Sequence, residues 1–346
     1  MNSKPRVVVM MGGPSSEHEV SMASGAQVLR ALRETGLYDV TALVISREGE
    51  WRLSRDVPQL APQPSEAVSP AALRTHTMRG LPLLTDTDVV FLALHGVFGE
   101  DGTLQGLLKS VAVPFTGSGP LASALAMNKA MAKQLFRCAG LSVARGLHLT
   151  AAVIQSSLTE AMTAVESTVG YPCVVKPNLG GSSLGVSLVE SREELAQGLT
   201  KASRYDADVL VEEKLLGREL TCAVLEELDG SVKALPVIEI VPRKGKFFDF
   251  ASKYEDQGSE EICPAPLTDE DRCAVQDAAV RAHQALGCRG FSRTDIFLTD
   301  RGPVVLEVNT IPGMTPNSLL PKAARAAGIP FAQLLVQLVQ VALRTS

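Results

Sequence analysis

The chain has 346 residues, 45% of them apolar, more than one typical domain needs and enough to bury a sizeable core. Its formal net charge of -5 and sequence pI of about 5.7 exclude the basic footprint of a nucleic-acid binder, so local basic groups must hold any phosphate. The six cysteines form no CxxC pair and mostly sit in apolar runs, which argues for reduced thiols over a zinc site or a disulfide framework. The first apolar run is too short for a signal segment and no stretch is long enough to span a bilayer, so a soluble, cytoplasmic protein with no membrane partner is expected.

Val7 to Met11 is a compact apolar run ending at Gly12-Gly13 and reads as a buried strand. Ser16, with Glu19 three residues on, predicts a capping box that opens a helix. Val40 to Ser46 and Val89 to Leu94 read as further buried strands, and the proline-rich stretch between Ser54 and Thr87 as loop with one short helix. Strand-helix alternation over residues 1–118 predicts a parallel α/β domain. Leu121 to Ala139 reads as a single alanine-rich helix. Cys173 to Lys176, Gly185 to Val189, Val209 to Glu212, Glu219 to Glu226 and Val232 to Val241 read as strands, so the middle third is α+β with antiparallel pairing. Thr268 to Gly287 is a helix with Gly287 as its cap. Ser292 to Leu298 and Val304 to Asn309 then form a hairpin about Asp300-Arg301-Gly302. In the final helix Phe331, Leu334, Leu335, Leu338 and Ala342 fall on one face, which packs on the core.

The hairpin carries the strongest chemical signal. Residues two apart on a strand face the same way. With the turn centred on Arg301, Asp295 lies opposite Glu307 and Arg293 opposite Asn309. One face then gathers two carboxylates, an amide and a guanidinium. The oxygens suit magnesium, and the arginine suits a transferring phosphoryl group. An exposed face of ordinary cross-strand pairs is the bland alternative for any one of them, and the four together favour the site. A one-residue slip in register would break the arrangement.

Lys176 ends a strand and leads into Pro177-Asn178-Leu179-Gly180-Gly181-Ser182-Ser183-Leu184-Gly185. Glycines let backbone N–H groups approach phosphate oxygens, and Ser182 and Ser183 add hydroxyls. A flexible hairpin turn accounts for this loop equally well. Glu17 follows the first strand, where a carboxylate can hold an ammonium or complement a helix dipole. His95 sits beside the same crevice in Leu94-His95-Gly96-Val97-Phe98-Gly99-Glu100, as a structural or a functional histidine. Gly117-Ser118-Gly119-Pro120-Leu121-Ala122 matches a dinucleotide fingerprint, but no Asp or Glu occurs from Gly102 to Thr159 to hold a ribose, which excludes that site. The following helix offers Lys129 and Lys133 at i, i+4, either for a phosphate or as a solvated face. Phe247 to Tyr254 reads as a loop over a site or a plain surface loop, with Lys253 and Tyr254 the candidate contacts.

In order along nearly the whole chain, GGPSSEHEVSMASG, LHGVFGEDGTLQG, TGSGPLASALAMNK, VVKPNLGGSSLGV, FFDFASKY, GFSRTDIFL and LEVNTIPGMTPNSLLPKAARAAG resemble the D-alanine–D-alanine ligases, an ATP-grasp family. The resemblance implies an N-terminal Rossmann-like α/β subdomain (1–118) and two α+β ATP-grasp subdomains (119–210 and 211–346), with ATP between the latter two. It implies Lys129 and Lys176 on the ATP phosphates, Ser182 and Ser183 beside them, Glu212, Glu213 and Leu215 at the adenine, Glu219 on the ribose and Lys253 on the γ-phosphate. Asp295, Glu307 and Asn309 would hold two Mg2+ ions, with Mn2+ an accepted substitute. Arg293 and the Gly313 amide would stabilise oxyanions. Glu17 would take the first D-alanine's ammonium, His95 would lie near its carboxylate, Ser182 and Tyr254 would link with Glu17, and Ser318 and Leu319 would receive the second D-alanine. The implied product is D-alanyl-D-alanine for peptidoglycan, made by a homodimer through an acyl phosphate. Phe250 stands where a tyrosine is expected and His18 where arginine is common. A ligase of another substrate class shares the nucleotide and metal residues, so Glu17, Tyr254 and Ser318-Leu319 discriminate. A non-catalytic nucleotide-binding protein would not need the full set Arg293, Asp295, Glu307 and Asn309.

Overall fold

The computed structural model describes residues 4–56, 70–181, 185–242 and 259–344. In the first third the apolar runs pair in parallel. Arg6–Gly12 lies between Asp39–Ile45 and Val89–Leu92, and Trp51–Ser54 adds antiparallel at the edge. These strands read as continuous apolar runs because both faces are covered. Helix His18–Glu34 and the last helix, Phe331–Arg344, cover one face, and Leu84, Leu104 and Leu108 the other. The chain's final element therefore completes the core of its first sheet. The same cluster takes in Ala223, Leu225 and Phe291 from a sheet far along the sequence.

The expected capping box does not form. Glu17 occupies the N-cap position without a capping side chain, and Glu19 reaches out to Arg47 at 2.8 Å. The turn before the helix is held instead by the Ser15 hydroxyl, which accepts from the Glu17 N–H (3.2 Å) and donates to the His95 carbonyl (2.7 Å). The helix expected over 121–139 is two, Pro120–Met127 and Lys129–Cys138. Asn128 leaves the helical region (φ -89°, ψ 96°) and its side chain accepts the Met131 N–H at 3.0 Å, the ordinary behaviour of asparagine at an N-cap.

The central sheet is antiparallel, in the order Gly146–Thr150, Asp208–Glu213, Cys173–Pro177, Ser187–Val189. Asp208–Glu213 runs through the division expected between residues 210 and 211. Strand alternation sorts the side chains. Cys173, Val175, Val209 and Val211 pack in a core with helices Leu158–Thr168 and Arg192–Ala202, while Val174, Lys176 and Glu212 face a cavity.

The third sheet has six antiparallel strands, with Arg218–Glu226 between Ile238–Pro242 and Phe291–Thr299, and Gly302–Asn309 at one edge. The strand expected over 232–241 is two pieces, Val232–Ala234 and Ile238–Pro242, parted at Pro236, which has no N–H for a ladder. One face of this sheet packs on helix Asp269–Ala285. The other changes character along its length: Phe291, Ala223 and Leu225 enter the first sheet's core, and Arg293, Asp295 and Phe297 follow at the same two-residue spacing. Among the described residues no single helix is long and apolar enough to cross a membrane.

Leu338 is buried between the first sheet and its covering helices. Leu338→Ala is expected to lower stability by roughly 2–5 kcal/mol in chemical denaturation, the range for a leucine deleted from a packed core. A change below about 0.5 kcal/mol, typical of a surface position, would contradict this packing.

Candidate active site

The hairpin reaches the expected register by an unexpected route. Thr299 pairs with Gly302, so the turn consists of Asp300 and Arg301 and its centre lies half a residue before Arg301. That turn alone would put Asp295 out of step with Glu307. A bulge corrects it: Ile296 pairs with Val305 and Asp295 with Glu307, leaving Leu306 as the extra residue, and Arg293 then pairs with Asn309. The bulge also aims two consecutive side chains, Leu306 and Glu307, at the cavity, while Val305 and Val308 both enter the core beneath.

On this face Arg293 donates from Nε and Nη2 to both oxygens of Asp295, at 3.0 and 2.9 Å. The Thr221 hydroxyl donates to Asp295 at 2.7 Å, and Asn309 Nδ2 lies 3.3 Å from its other oxygen. Burial works against the Arg293 charge, but Asp295, Glu307 and Glu100 outweigh it and raise its pKa. Among the described residues no three His, Cys, Asp or Glu side chains are grouped as a metal site. The set here is two carboxylates and an amide, hard oxygens of the kind magnesium takes alongside phosphate.

The cavity has a volume of about 580 Å³ and is walled by both antiparallel sheets, a size suited to a nucleotide. Leu215, Ile240, Val241, Phe297 and Leu306 give it apolar walls, and Lys129, Lys176 and Glu307 a charged end, with Glu212, Glu213 and Glu219 also on its surface. Local structure sets Lys129. The Asn128 cap makes it the first residue of its helix, and buried Asn178 accepts the Ala130 N–H at 2.8 Å and donates to Asn128 at 3.0 Å. Lys129 Nζ then donates to the Gly180 carbonyl at 2.5 Å, 3.8 Å from Glu307.

One turn further along that helix, Lys133 is 2% exposed and pairs with Glu212 at 2.7 Å, while Lys176 takes the other Glu212 oxygen at 2.6 Å. Burial alone would push the Glu212 pKa up; the two ammonium groups reverse this and hold it at about 2. Burial lowers the Lys133 pKa, with Glu212 opposing. Burial likewise works against Lys176, but Glu212 and Glu307 leave it raised. The two lysines thus share the Glu212 carboxylate, and Lys176 is the one of the pair that borders the cavity.

A second group of residues lies next to Arg293. The Glu17 carboxylate abuts Gly96 and Gly181, where an added Cβ would stand 2.8 and 3.4 Å from its Oε2. His95 is buried, and both ring nitrogens are engaged. Nδ1 donates to the Ile311 carbonyl at 2.9 Å, and Nε2 faces the Ser24 hydroxyl at 3.0 Å. Burial lowers its pKa, so the ring is neutral. Glu100 accepts the Gly96 N–H at 2.7 Å. The residue is partly exposed, but packing around its carboxyl, followed by the Glu17 charge, pushes its pKa up to about 8, with the Gly96 and Ile311 amides opposing. Gly313 closes on Ser318, whose Oγ accepts the Thr315 N–H at 3.1 Å and would lie 2.9 Å from a Cβ at 313. Ser318 is the N-cap of helix Leu319–Ala326, which begins at Leu319.

Of the expected site residues, the structure brings together Lys129, Lys176, Glu212, Glu213, Leu215, Glu219 and Glu307 around the cavity. Arg293, Asp295 and Asn309 form a set paired with Glu307. Ser182, Ser183, Lys253 and Tyr254 lie outside the described residues. The sequence reading missed the roles of Glu100 and Thr221 and left Lys133 open. The i, i+4 spacing of Lys129 and Lys133 was a usable signal for Lys133.

The fold is that of an ATP-grasp ligase. Residues 6–118 match the model of the D-ala D-ala ligase N-terminus, and residues 135–340 that of the D-ala D-ala ligase C-terminus. A D-alanine–D-alanine ligase from Leptospira interrogans is 39% identical with 99% of each chain covered, and one from Halalkalibacterium halodurans is 40% identical over 98% of this chain and 99% of its own. Among solved structures, the VanG D-Ala:D-Ser ligase from Enterococcus faecalis superposes with a TM-score of 0.82 at 33% identity, covering 98% of this chain and 99% of that one. The D-alanine–D-alanine ligase from Coxiella burnetii gives 0.81 at 26% identity, covering 99% and 95%. This chain belongs to the D-alanine–D-alanine ligase family.

With Glu100 held protonated to about pH 8, the folded chain keeps a proton that the unfolded chain releases near its ordinary 4.5, so this residue costs stability progressively as pH rises between those values. Glu100→Gln is neutral throughout. Its melting temperature is therefore expected to gain on the parent between about pH 5 and about pH 8. A difference that stays constant over that range would show that Glu100 is not raised.

Proposed function

We propose that this protein is an ATP-dependent ligase that joins two D-alanines into D-alanyl-D-alanine through an acyl phosphate, for peptidoglycan precursor synthesis. The observation that carries this reading is that Lys129 and Lys176 line one cavity with Glu307 of the Arg293–Asp295–Glu307–Asn309 face and with Gly181, against which the Glu17 carboxylate lies.

In this reading ATP fills the cavity with its base against the apolar walls and its phosphates on Lys129 and Lys176. Asp295, Glu307 and Asn309 hold two Mg2+ ions, which Mn2+ can replace. When bound, the metal neutralises phosphate charge and orients the γ-phosphoryl group. Glu17 holds the ammonium of the first D-alanine, so that its carboxylate faces the γ-phosphoryl group. Attack there forms the acyl phosphate and releases ADP. The amine of the second D-alanine, placed through Ser318 and Leu319, attacks the acyl carbon, and phosphate leaves. Arg293 and the Gly313 amide stabilise the charge that develops on oxygen in the two steps. Ser182, Ser183, Lys253 and Tyr254 complete the site in their family roles. Positioning and charge stabilisation supply most of the rate. The protein acts as a cytoplasmic homodimer, with the first subdomain ending near residue 118 and the next division falling after strand Asp208–Glu213.

D-Serine as second substrate is a specific alternative, because a solved relative is a D-Ala:D-Ser ligase. The test is ADP release with Mg-ATP and D-alanine, with the product identified by mass. L-alanine, D-serine and D-lactate arms run beside it. ADP release with D-alanyl-D-alanine, and little with L-alanine, is expected. A preference for the mixed D-serine product would move the reading to that relative, and no turnover with any acceptor would overturn it.

Arg293→Ala is expected to lower kcat roughly 10²- to 10³-fold, as loss of one oxyanion donor does. Nucleotide binding, followed by fluorescence titration, should change far less. An equal loss in both would place Arg293 in ground-state binding instead.

A further inference from the structure

The loop between Asn309 and Ser318 joins two parts of the site and carries Gly313. The loop leaves the third sheet at Asn309, and the first subdomain grips it on both sides of Pro312-Gly313. Ile311 and Met314 are both buried, Ile311 in the cluster on one side of the first sheet and Met314 in the cluster on the other. The backbone of the same two residues is bound by side chains that come from the start of the chain.

The hydrogen-bond directions follow from chemistry. His95 Nδ1 faces the Ile311 carbonyl at 2.9 Å, and a carbonyl only accepts, so Nδ1 carries the proton. Nε2 of the neutral ring then accepts. Its partner at 3.0 Å, the Ser24 hydroxyl, therefore donates to it. Ser24 Oγ in turn accepts the Met314 N–H at 3.2 Å. A one-directional chain runs from the Met314 amide through Ser24 and His95 to the Ile311 carbonyl. It ties together the two backbone groups on either side of Pro312-Gly313. Ser24 is fully buried on helix His18–Glu34 and cannot itself meet a substrate.

We propose that Ser24 is a positioning residue for acyl transfer: with His95 it staples the Ile311–Met314 backbone so that the Gly313 amide is held where the oxyanion develops. The role of Gly313 rests on the ligase reading; the staple itself does not. Oxyanion donors act only when held in place, and a displacement of about 1 Å is enough to cost on the order of 10²-fold. Ser24→Ala leaves two buried groups, the Met314 N–H and His95 Nε2, without a partner.

Two measurements on the full-length protein separate the possibilities. In steady-state kinetics Ser24→Ala is expected to lower kcat roughly 10- to 100-fold while KM for ATP moves less than about threefold. Ser24→Thr, which keeps the hydroxyl, is expected to recover most of that loss. In hydrogen exchange followed by mass spectrometry, the segment 310–318 is expected to exchange faster in Ser24→Ala, with the cavity strands unchanged. Unchanged kcat overturns the proposal, and so does a parallel loss of kcat, ATP affinity and global exchange protection, which would mark Ser24 as merely structural. Should the parent show no ligase turnover, the ligase reading fails, and faster exchange confined to 310–318 still decides whether the staple exists.

Discussion

Everything at this site depends on the register of one hairpin. Asp295 and Glu307 can act together only if they share a face, and a two-residue turn alone would separate them. The bulge at Leu306 resolves the conflict and does a second job. It turns an apolar side chain and a carboxylate toward the same cavity from adjacent positions, which a regular strand cannot do. The apolar floor of the cavity and its acidic edge are thus a single local feature.

Electrostatics follow from that geometry. The acidic edge would repel a polyphosphate without cations facing it, and these come from a different sheet and helix. Lys176 leaves the central sheet, and Lys129 is aimed by the Asn128 cap and the Asn178 side chain. Glu212, deep between Lys133 and Lys176, fixes both lysines at a cost in desolvation that the two ion pairs offset. The charged groups belong to three parts of the chain, so the site exists only when those parts are packed together. The last helix, which shares a core with the first sheet and the third, supplies much of that packing.

Much of this was legible in the sequence. The parallel strands of the first third were continuous apolar runs, and the pairing of Arg293 with Asn309 and Asp295 with Glu307 followed from counting away from the turn. The count succeeded because the bulge compensated for a turn placed half a residue early, which no residue type announces. Other features were hidden for physical reasons. Asn128 sat inside an alanine-rich stretch, and its capping role shows only once its side chain is seen to accept the Met131 N–H. Lys133 looked like a solvated partner of Lys129 because burial of a lysine depends on a carboxylate 79 positions away, between Lys133 and Glu212. His95 was readable as a histidine beside the crevice after a buried strand, but its two hydrogen bonds reach Ser24 and Ile311, contacts that only the tertiary fold creates.

The central claim is that this geometry transfers the γ-phosphoryl group to a substrate carboxylate before the peptide bond forms. The most direct test uses D-alanine labelled with 18O in both carboxylate oxygens, with Mg-ATP, and reads the isotope content of the phosphate released. An acyl phosphate requires one labelled oxygen to leave with each phosphate and one to remain in the new peptide carbonyl. Phosphate free of label, alongside dipeptide formation, would contradict the account, because the carboxylate would never have been joined to phosphorus.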